Sequence, residues 1–207
     1  MIKKKLILGL SNLIKISAIL LIFSFKSYAD DSKTSNELIS LGPEDAEVKI
    51  KVLSSFTCPH CANFHFKVIP DIIKEYVERG KVQLIFIDFP LDLAAFNASK
   101  ILQCVDKKKQ ITFMDTIYKN QSEWTQGPTI EIINENLKKI VKDLGISSDL
   151  FDTCLIDEDI SDKILNGRIG ANKKYSVNST PTIIINEKKL EGSASFKNIK
   201  KKIEKLI

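Results

Sequence analysis

Two cysteines spaced three residues apart carry the clearest chemistry in this sequence. Cys58 and Cys61 enclose Pro59 and His60 in the segment CPHC. If a helix begins at the first cysteine, the second lies one turn deeper on the same side and can close a small disulfide ring. The helix N-terminus offers unpaired N–H groups and partial positive charge, which stabilise a thiolate at Cys58. His60 adds a donor or a positive charge, and Pro59 suits the first helical position.

This environment sets the direction of electron flow. A stabilised thiolate favours the reduced form of the pair, so the disulfide becomes a stronger oxidant. Across Cys-X-X-Cys proteins the pKa of the first thiol runs from about 3.5 to about 7, against about 8.5 for a free cysteine. One pKa unit corresponds to about 1.4 kcal/mol, or about 30 mV in a two-electron couple. We therefore expect an oxidising pair that needs no cofactor beyond the Cys58–Cys61 disulfide.

Two other uses of these cysteines are open. Cys58, Cys61 and His65 could ligate zinc, because Cys61 and His65 lie four residues apart on one helix face. A closed zinc site needs a fourth ligand, and the sequence contains neither a second CxxC nor a histidine pair to supply it. A purely structural Cys58–Cys61 bond would constrain little, because its ring is small. The pattern thus favours redox chemistry with no metal, and it favours packing over catalysis for His65.

The segments around the motif predict how it is positioned. VKIKVLSS at 48–55 alternates and is rich in β-branched residues, which indicates a strand ending just before Cys58. Apolar residues then recur at helical spacing to about Arg79, and Gly80 ends that helix. VQLIFIDF at 82–89 is apolar enough for a strand buried on both faces. Strand, helix and strand in this order predict a right-handed crossover between parallel strands.

The rest of the chain is mainly helical. From about 92 to 175 the pattern predicts four or five helices, followed by a strand at 182–185, a short partner at 188–190 and a final helix at 196–207. This order predicts an α/β, thioredoxin-like fold, a mixed sheet flanked by helices, with a helical insertion. The predicted parts are a polar lead-in at 30–44, a thioredoxin-like domain at 45–91 and 176–207, and the insertion at 92–175.

The N-terminus has the composition of an export signal. A lysine-rich leader precedes the uncharged run ISAILLIFSF at 16–25, and Ser27-Tyr28-Ala29 places small residues where a signal peptidase reads. We predict a signal peptide at 1–29. The alternative is an uncleaved membrane anchor, because apolar residues at 6–13 lengthen the run, although Lys15 interrupts it.

Charge argues against one class of partner. The formal net charge is +5, and residues 1–29 contain five lysines and no acid, so the exported chain is close to neutral. The remaining lysine clusters are balanced by acids and are typical of solvated helix faces. We expect no nucleic-acid partner.

The motif and a later proline resemble the DsbA family of periplasmic disulfide oxidoreductases. CPHC is the usual active-site sequence of that family, and SSFTCPHCANFHF is similar to its strand-to-helix junction. Thr180-Pro181, just before the strand TIII, is the second matching feature. The resemblance implies that Pro181 is cis and faces the cysteines, and that Pro70 kinks the helix. The resemblance extends over most of residues 45–207. The helical insertion matches the family in its arrangement of elements but carries no matching motif.

The resemblance also implies roles. Cys58 would be the sulfur that substrate thiolates attack, and Cys61 the buried partner. Pro59 and His60 would tune the thiolate, while Thr180-Pro181 would guide the substrate strand. The partners would be reduced exported proteins in the periplasm and a quinone-linked membrane reoxidant of the DsbB type.

Two departures from the family pattern leave questions open. Many members carry a buried acid six residues before the first cysteine, where this chain has Val52. Water, Ser54 or Ser55 would have to replace it in carrying the proton of Cys61. Thr180 resembles the isomerases of the superfamily as much as the oxidases, although the short lead-in leaves no room for their dimerisation domain. An isomerase or reductase on the same fold is therefore the alternative, ahead of a non-enzymatic metal-binding or chaperone-like protein.

Cys104 and Cys154 form the second pair. Both have apolar neighbours in the predicted insertion, and export would bring them into an oxidising compartment. We expect a structural disulfide between two helices, contributing about 4 kcal/mol in the chain-entropy model. Two buried free thiols are the alternative, with a second redox role behind both.

Overall fold

A five-stranded mixed sheet forms the centre of the fold in the computed structural model, which describes residues 38–207. The predicted signal peptide at 1–29 lies outside the described residues. The strand order across the sheet is β1-β3-β2-β4-β5. The strands are β1 Ile39–Leu41, β2 Val48–Ser54, β3 Val82–Asp88, β4 Thr182–Ile185 and β5 Lys188–Lys189.

Helices flank the sheet on both faces. They are α1 Pro59–Lys67, α2 Ile69–Ile72, α3 Leu93–Cys104, α4 Gln110–Lys119, α5 Gln121–Trp124, α6 Ile130–Lys142, α7 Ser148–Ile156, α8 Glu158–Tyr175 and α9 Phe196–Ile203. A π turn at Ile73–Val77 and a 3-10 turn at Lys107–Lys109 complete the helical parts. Between residues 38 and 207, no helix combines the length and apolar character needed to cross a membrane.

The central strands confirm the predicted thioredoxin-like fold. Strand β2 pairs in parallel with β3, from Val48 opposite Val82 to Ser54 opposite Asp88. On its other side β2 pairs antiparallel with β4, where Leu53 lies opposite Thr182. The carboxyl end of β2 therefore lies beside the start of β4, which brings the segments after 54 and before 182 together.

The first strand corrects the prediction for the lead-in. Residues 30–44 were expected to be polar lead-in, yet Ile39–Leu41 pairs antiparallel with β3 over Leu84–Phe86. With only three residues, β1 has no room for a readable alternation. It covers the free edge of the apolar β3, whose unpaired backbone groups would otherwise be exposed to pairing with another chain.

The helices also differ in detail from the pattern. The helix after the CPHC motif is divided at Val68, just before Pro70, and its last part is the π turn. Proline lacks the N–H that a continuous helix would use, which accounts for the division. Six α-helices lie between β3 and β4, where four or five were predicted, because Asn120 separates α4 from the short α5.

The core lies mainly on one face of the sheet. Alternate strand residues such as Ile50, Val52 and Ile183 point into the larger cluster of buried side chains. Leu53 and Ile184 point to the opposite face, where a smaller cluster packs under α8. Both faces are thus covered, as expected for a sheet with a parallel centre.

A disulfide ties two helices together between β3 and β4. Cys104 at the end of α3 is bonded to Cys154 in α7, with 6.3 Å between their Cα atoms. The bond closes a loop with a sequence separation of 50. The sequence left open whether Cys104 and Cys154 form a disulfide or remain free thiols, and the structure contains the disulfide.

Removing this disulfide tests its contribution to stability. We expect the double variant Cys104→Ala/Cys154→Ala to lose up to about 4 kcal/mol in the free energy of unfolding, because the unfolded chain regains the entropy of the open loop. Urea unfolding of the oxidised protein and of the variant measures the difference. A loss below about 1 kcal/mol would mean that the bond constrains the unfolded chain little.

Candidate active site

Cys58 lies at the N-terminus of α1. Its backbone is extended (φ −83°, ψ 117°), and Pro59 occupies the first turn of the helix. The Cys58 N–H donates to Ser55 O at 3.1 Å, while its carbonyl accepts from the N–H groups of Cys61 at 3.0 Å and Ala62 at 3.2 Å. The Cys58 sulfur is therefore fixed where the unpaired N–H groups and the positive end of the helix stabilise a thiolate.

The β2–β4 pairing brings the second predicted segment to the first. The Thr180–Pro181 peptide bond is cis, and Cys58 Sγ donates to Thr180 O at 3.3 Å. Pro59 and His60 are exposed and Pro181 is half-buried. The thiol pair thus lies between the start of α1 and the start of β4, with exposed residues directly after Cys58.

The two thiols differ in environment. Cys58 retains 8% of its exposure and Cys61 only 2%, and the two are unlinked in this structure. Burial, with a smaller contribution from the neighbouring Cys58, raises the pKa of Cys61 to about 12, although the Ser55 backbone acts in the opposite direction. In the reduced pair Cys61 therefore holds its proton at neutral pH.

Position 52 carries no acid that could accept this proton. Val52 is buried in β2 between Phe86 and Ile183. The ring of Tyr118 is buried, and its pKa is raised well above its ordinary value of 10 by burial and by Cys61, against a hydrogen bond to Ser54.

A carboxyl group lies on the next strand. Asp88, opposite Ser54 at the end of β3, accepts from Ser99 Oγ at 3.1 Å and from Gln103 Nε2 at 2.9 Å. Burial raises the pKa of Asp88 to about 6, although both hydrogen bonds and Lys163 lower it. Asp88 and Cys61 both contribute to the raised pKa of Tyr118.

His65 has partners of its own. Its ring is buried, its Nε2 donates to Asp115 Oδ1 at 2.6 Å, and it packs on Tyr118 with 5.0 Å between ring centroids. Within residues 38–207, no three or more His, Cys, Asp or Glu side chains are grouped so that they could hold a metal ion. His65 therefore packs and pairs with α4, and the zinc alternative has no ligand set in this part of the chain.

The fold and the site now agree with a known family. A family model described as thioredoxin matches residues 33–205. The chain belongs to this thioredoxin family.

Similarity to individual proteins shows which members of the thioredoxin family this chain resembles. The probable disulfide bond formation protein D of Bacillus cereus is 31% identical over 207 residues, covering 91% of each chain. The crystal structure of alpha-DsbA1 from Wolbachia pipientis is similar with a TM-score of 0.74 and 27% identity, covering 82% of this chain and 90% of that one. BdbD of Bacillus subtilis shares the fold, with a TM-score of 0.69 at 23% identity over 81% and 91% of the two chains.

These similarities confirm the resemblance drawn from the sequence. The chain is a DsbA-like member of the thioredoxin family and a thiol:disulfide oxidoreductase, so its chemistry is thiol–disulfide exchange.

Two polar side chains near Cys58 were not predicted from the sequence. Asp92 accepts from Thr57 Oγ1 at 2.6 Å and from Ala95 N at 2.8 Å, so it joins the loop before Cys58 to the start of α3. Gln121 of α5 donates to two carbonyls of the same loop. An Asp before an apolar helix is a readable N-cap signal. The sequence contains no signal for the contacts of either residue with the loop before Cys58.

Asp88 predicts a pH dependence of stability. Because its pKa is raised from 3.8 to about 6, the folded chain holds a proton between about pH 4 and about pH 6 that the unfolded chain has lost. Stability therefore falls as pH rises through this window. We expect Asp88→Asn to remove this loss, changing the difference in free energy of unfolding between pH 4 and pH 7 by up to about 3 kcal/mol.

Urea unfolding at both pH values measures this effect. Glu191→Gln, at an exposed carboxylate, serves as the control and should leave the difference unchanged. Equal behaviour of the two variants would contradict a raised pKa at Asp88.

Proposed function

We propose that this chain is an exported oxidase that introduces disulfides into folding proteins through Cys58 and Cys61. The supporting observation is the asymmetry of the pair. Cys58 lies at a helix N-terminus beside Thr180 O, whereas Cys61 is buried with a pKa raised to about 12. A substrate thiolate that approaches from solvent meets the Cys58 sulfur first, because Cys61 is the more deeply buried of the two.

The reaction begins with the oxidised pair. A substrate thiolate attacks Cys58 Sγ, the Cys58–Cys61 bond breaks, and the leaving Cys61 sulfur takes up a proton, consistent with its raised pKa. A second substrate thiolate then attacks the substrate sulfur of the mixed disulfide. Cys58 leaves as a thiolate stabilised by the N-terminus of α1. The substrate gains one disulfide, and the enzyme pair gains two electrons.

The cis segment supplies the second part of the site. Thr180 O faces the Cys58 sulfur, and Pro181 is half-buried at the edge of the pair. We assign Thr180-Pro181 to guide an extended substrate strand past Cys58, with Pro59 and His60 exposed on the other side of the sulfur. Such a site recognises backbone rather than a particular side chain, which suits an enzyme acting on many reduced exported proteins.

Location and reoxidation complete the proposal. We assign residues 1–29 as a signal peptide for export to the periplasm, from the basic leader, the apolar run and the small residues at 27–29. The reduced pair must pass its two electrons to an acceptor before it can act again. We assign this reoxidation to a quinone-linked membrane partner of the DsbB type. The exchange itself uses only the sulfurs of the protein, so we assign no cofactor.

An isomerase or reductase is the competing function. Thr180 before the cis proline resembles the isomerases of the superfamily, and its buried hydroxyl, which has no hydrogen-bond partner, is free to donate to a thiolate in the pair. A donor of this kind would favour ionisation of a thiol, which a reductant or isomerase needs for releasing its substrate. The redox potential separates the two functions.

The decisive experiment is the equilibrium of the Cys58–Cys61 pair with glutathione. We expect a potential near about −120 mV, the value of a disulfide donor, whereas about −270 mV would favour reduction instead. In an assay that follows oxidation of a reduced, unfolded protein, Cys58→Ser should abolish the rate. In the glutathione buffer, where oxidised glutathione supplies the oxidant, Cys61→Ala should accumulate a mixed disulfide between Cys58 and glutathione with release of one reduced glutathione, visible by mass spectrometry.

Cys104→Ala/Cys154→Ala serves as the matched control, because it removes two cysteines outside the site. This variant should still oxidise the substrate. Retention of full activity by Cys58→Ser would contradict the proposed function.

A further inference from the structure

One side chain reaches the redox centre from the helices between β3 and β4. Gln121, the first residue of α5, is half-buried, and its Nε2 lies 2.7 Å from Phe56 O and 3.2 Å from Cys58 O. Both partners are carbonyl oxygens, so only the amide N–H2 of Gln121 can face them. One amide group thus donates to the backbone on both sides of Thr57.

Buried side chains and hydrogen bonds hold the two segments that Gln121 connects. Trp124, in the same helical turn, is fully buried and donates from Nε1 to Ile117 O at 3.0 Å. The backbone carbonyl of Gln121 accepts from Thr125 Oγ1 at 2.6 Å. Phe56 packs on Tyr118 of α4 with 5.1 Å between ring centroids, which fixes the loop on the other side of the contact. These contacts fix the start of α5 and the loop before Cys58, the two segments that the Gln121 side-chain amide joins.

The Cys58 carbonyl is also the first acceptor of α1. It receives the N–H groups of Cys61 and Ala62, and these bonds orient the backbone that places the Cys58 sulfur at the helix N-terminus. A further donor on this carbonyl draws electron density away from the region next to the sulfur. That effect stabilises a negative charge on Cys58 more than it stabilises the neutral disulfide.

We propose that Gln121 is a positioning residue for the Cys58–Cys61 couple, which sets the balance between thiolate and disulfide through the Cys58 carbonyl. The inference rests on the proposed function, since it deepens the assignment of the same thiol pair. It makes the helical segment part of the redox centre, because a residue 63 positions after Cys58 determines how strongly the pair oxidises.

The test replaces the donor with a side chain of similar size. We expect Gln121→Leu to shift the equilibrium constant with glutathione toward a weaker oxidant by about threefold to tenfold, the range expected for one lost hydrogen bond. This equals about 15 to 30 mV. Gln121→Glu, which places a carboxylate against two carbonyl oxygens, should shift the constant further in the same direction. The rate of Cys58 alkylation by iodoacetamide at fixed pH should fall in the same order.

The matched control is Gln110→Leu. Gln110 is also half-buried, and its Nε2 donates to Leu102 O at 3.4 Å, with no hydrogen bond to the loop before Cys58. It should lose stability to urea as Gln121→Leu does, but its glutathione equilibrium and alkylation rate should match those of the unchanged protein. A structural role alone would move stability in both variants and the redox equilibrium in neither.

The outcomes separate the two proposals. If Gln121→Leu folds and keeps the glutathione equilibrium of the unchanged protein, the role of Gln121 is overturned while the proposed oxidase stands. Equal shifts in Gln121→Leu and Gln110→Leu also overturn it. If the unchanged protein itself has a potential near about −270 mV, the oxidase proposal fails. In that case the order of the three equilibrium constants still decides whether Gln121 acts on the pair.

Discussion

The antiparallel pairing of β4 with β2 is the constraint on which the site depends. Leu53 opposite Thr182 sets the register, so the chain leaves β2 toward Cys58 at the point where it enters β4 after Pro181. Because strand side chains alternate, a slip by one residue would move Ile183 and Ile185 out of the main core and onto the other face. The apolar core therefore enforces the register, and the register places Thr180 O beside the Cys58 sulfur.

Given this placement, the difference between the two thiols follows from helix geometry. A spacing of three residues puts Cys58 at the first N–H groups of α1 and Cys61 one turn deeper, against the core. The helix end favours negative charge at the first position, and desolvation opposes it at the second, where the pKa of Cys61 rises to about 12. One helix start thus gives two identical side chains two different chemistries.

The sequence predicted what short stretches determine. Strands β2 and β3, the helix start at Cys58 and the thioredoxin-like order of elements follow from alternation, apolar runs and turn residues within a few positions of each other. Strand β1 was missed because three residues carry no period, and its pairing depends on the free edge of β3. The break at Asn120 was missed because α5 is a single turn whose stability comes from burial of Trp124.

The surroundings of the cysteines could not be predicted for a different reason. Gln121 and Asp92 are ordinary polar residues in sequence, and each becomes part of the site only through a contact with the 55–58 loop that the folded chain creates. Asp88 follows the same rule, since its raised pKa comes from burial at the end of β3. The motif supplies the sulfurs and the start of α1, while the polar side chains that bind the loop before Cys58 come from the start of α3 and from α5. A chain could therefore keep CPHC unchanged and still alter its oxidising strength through substitutions far from the motif in sequence.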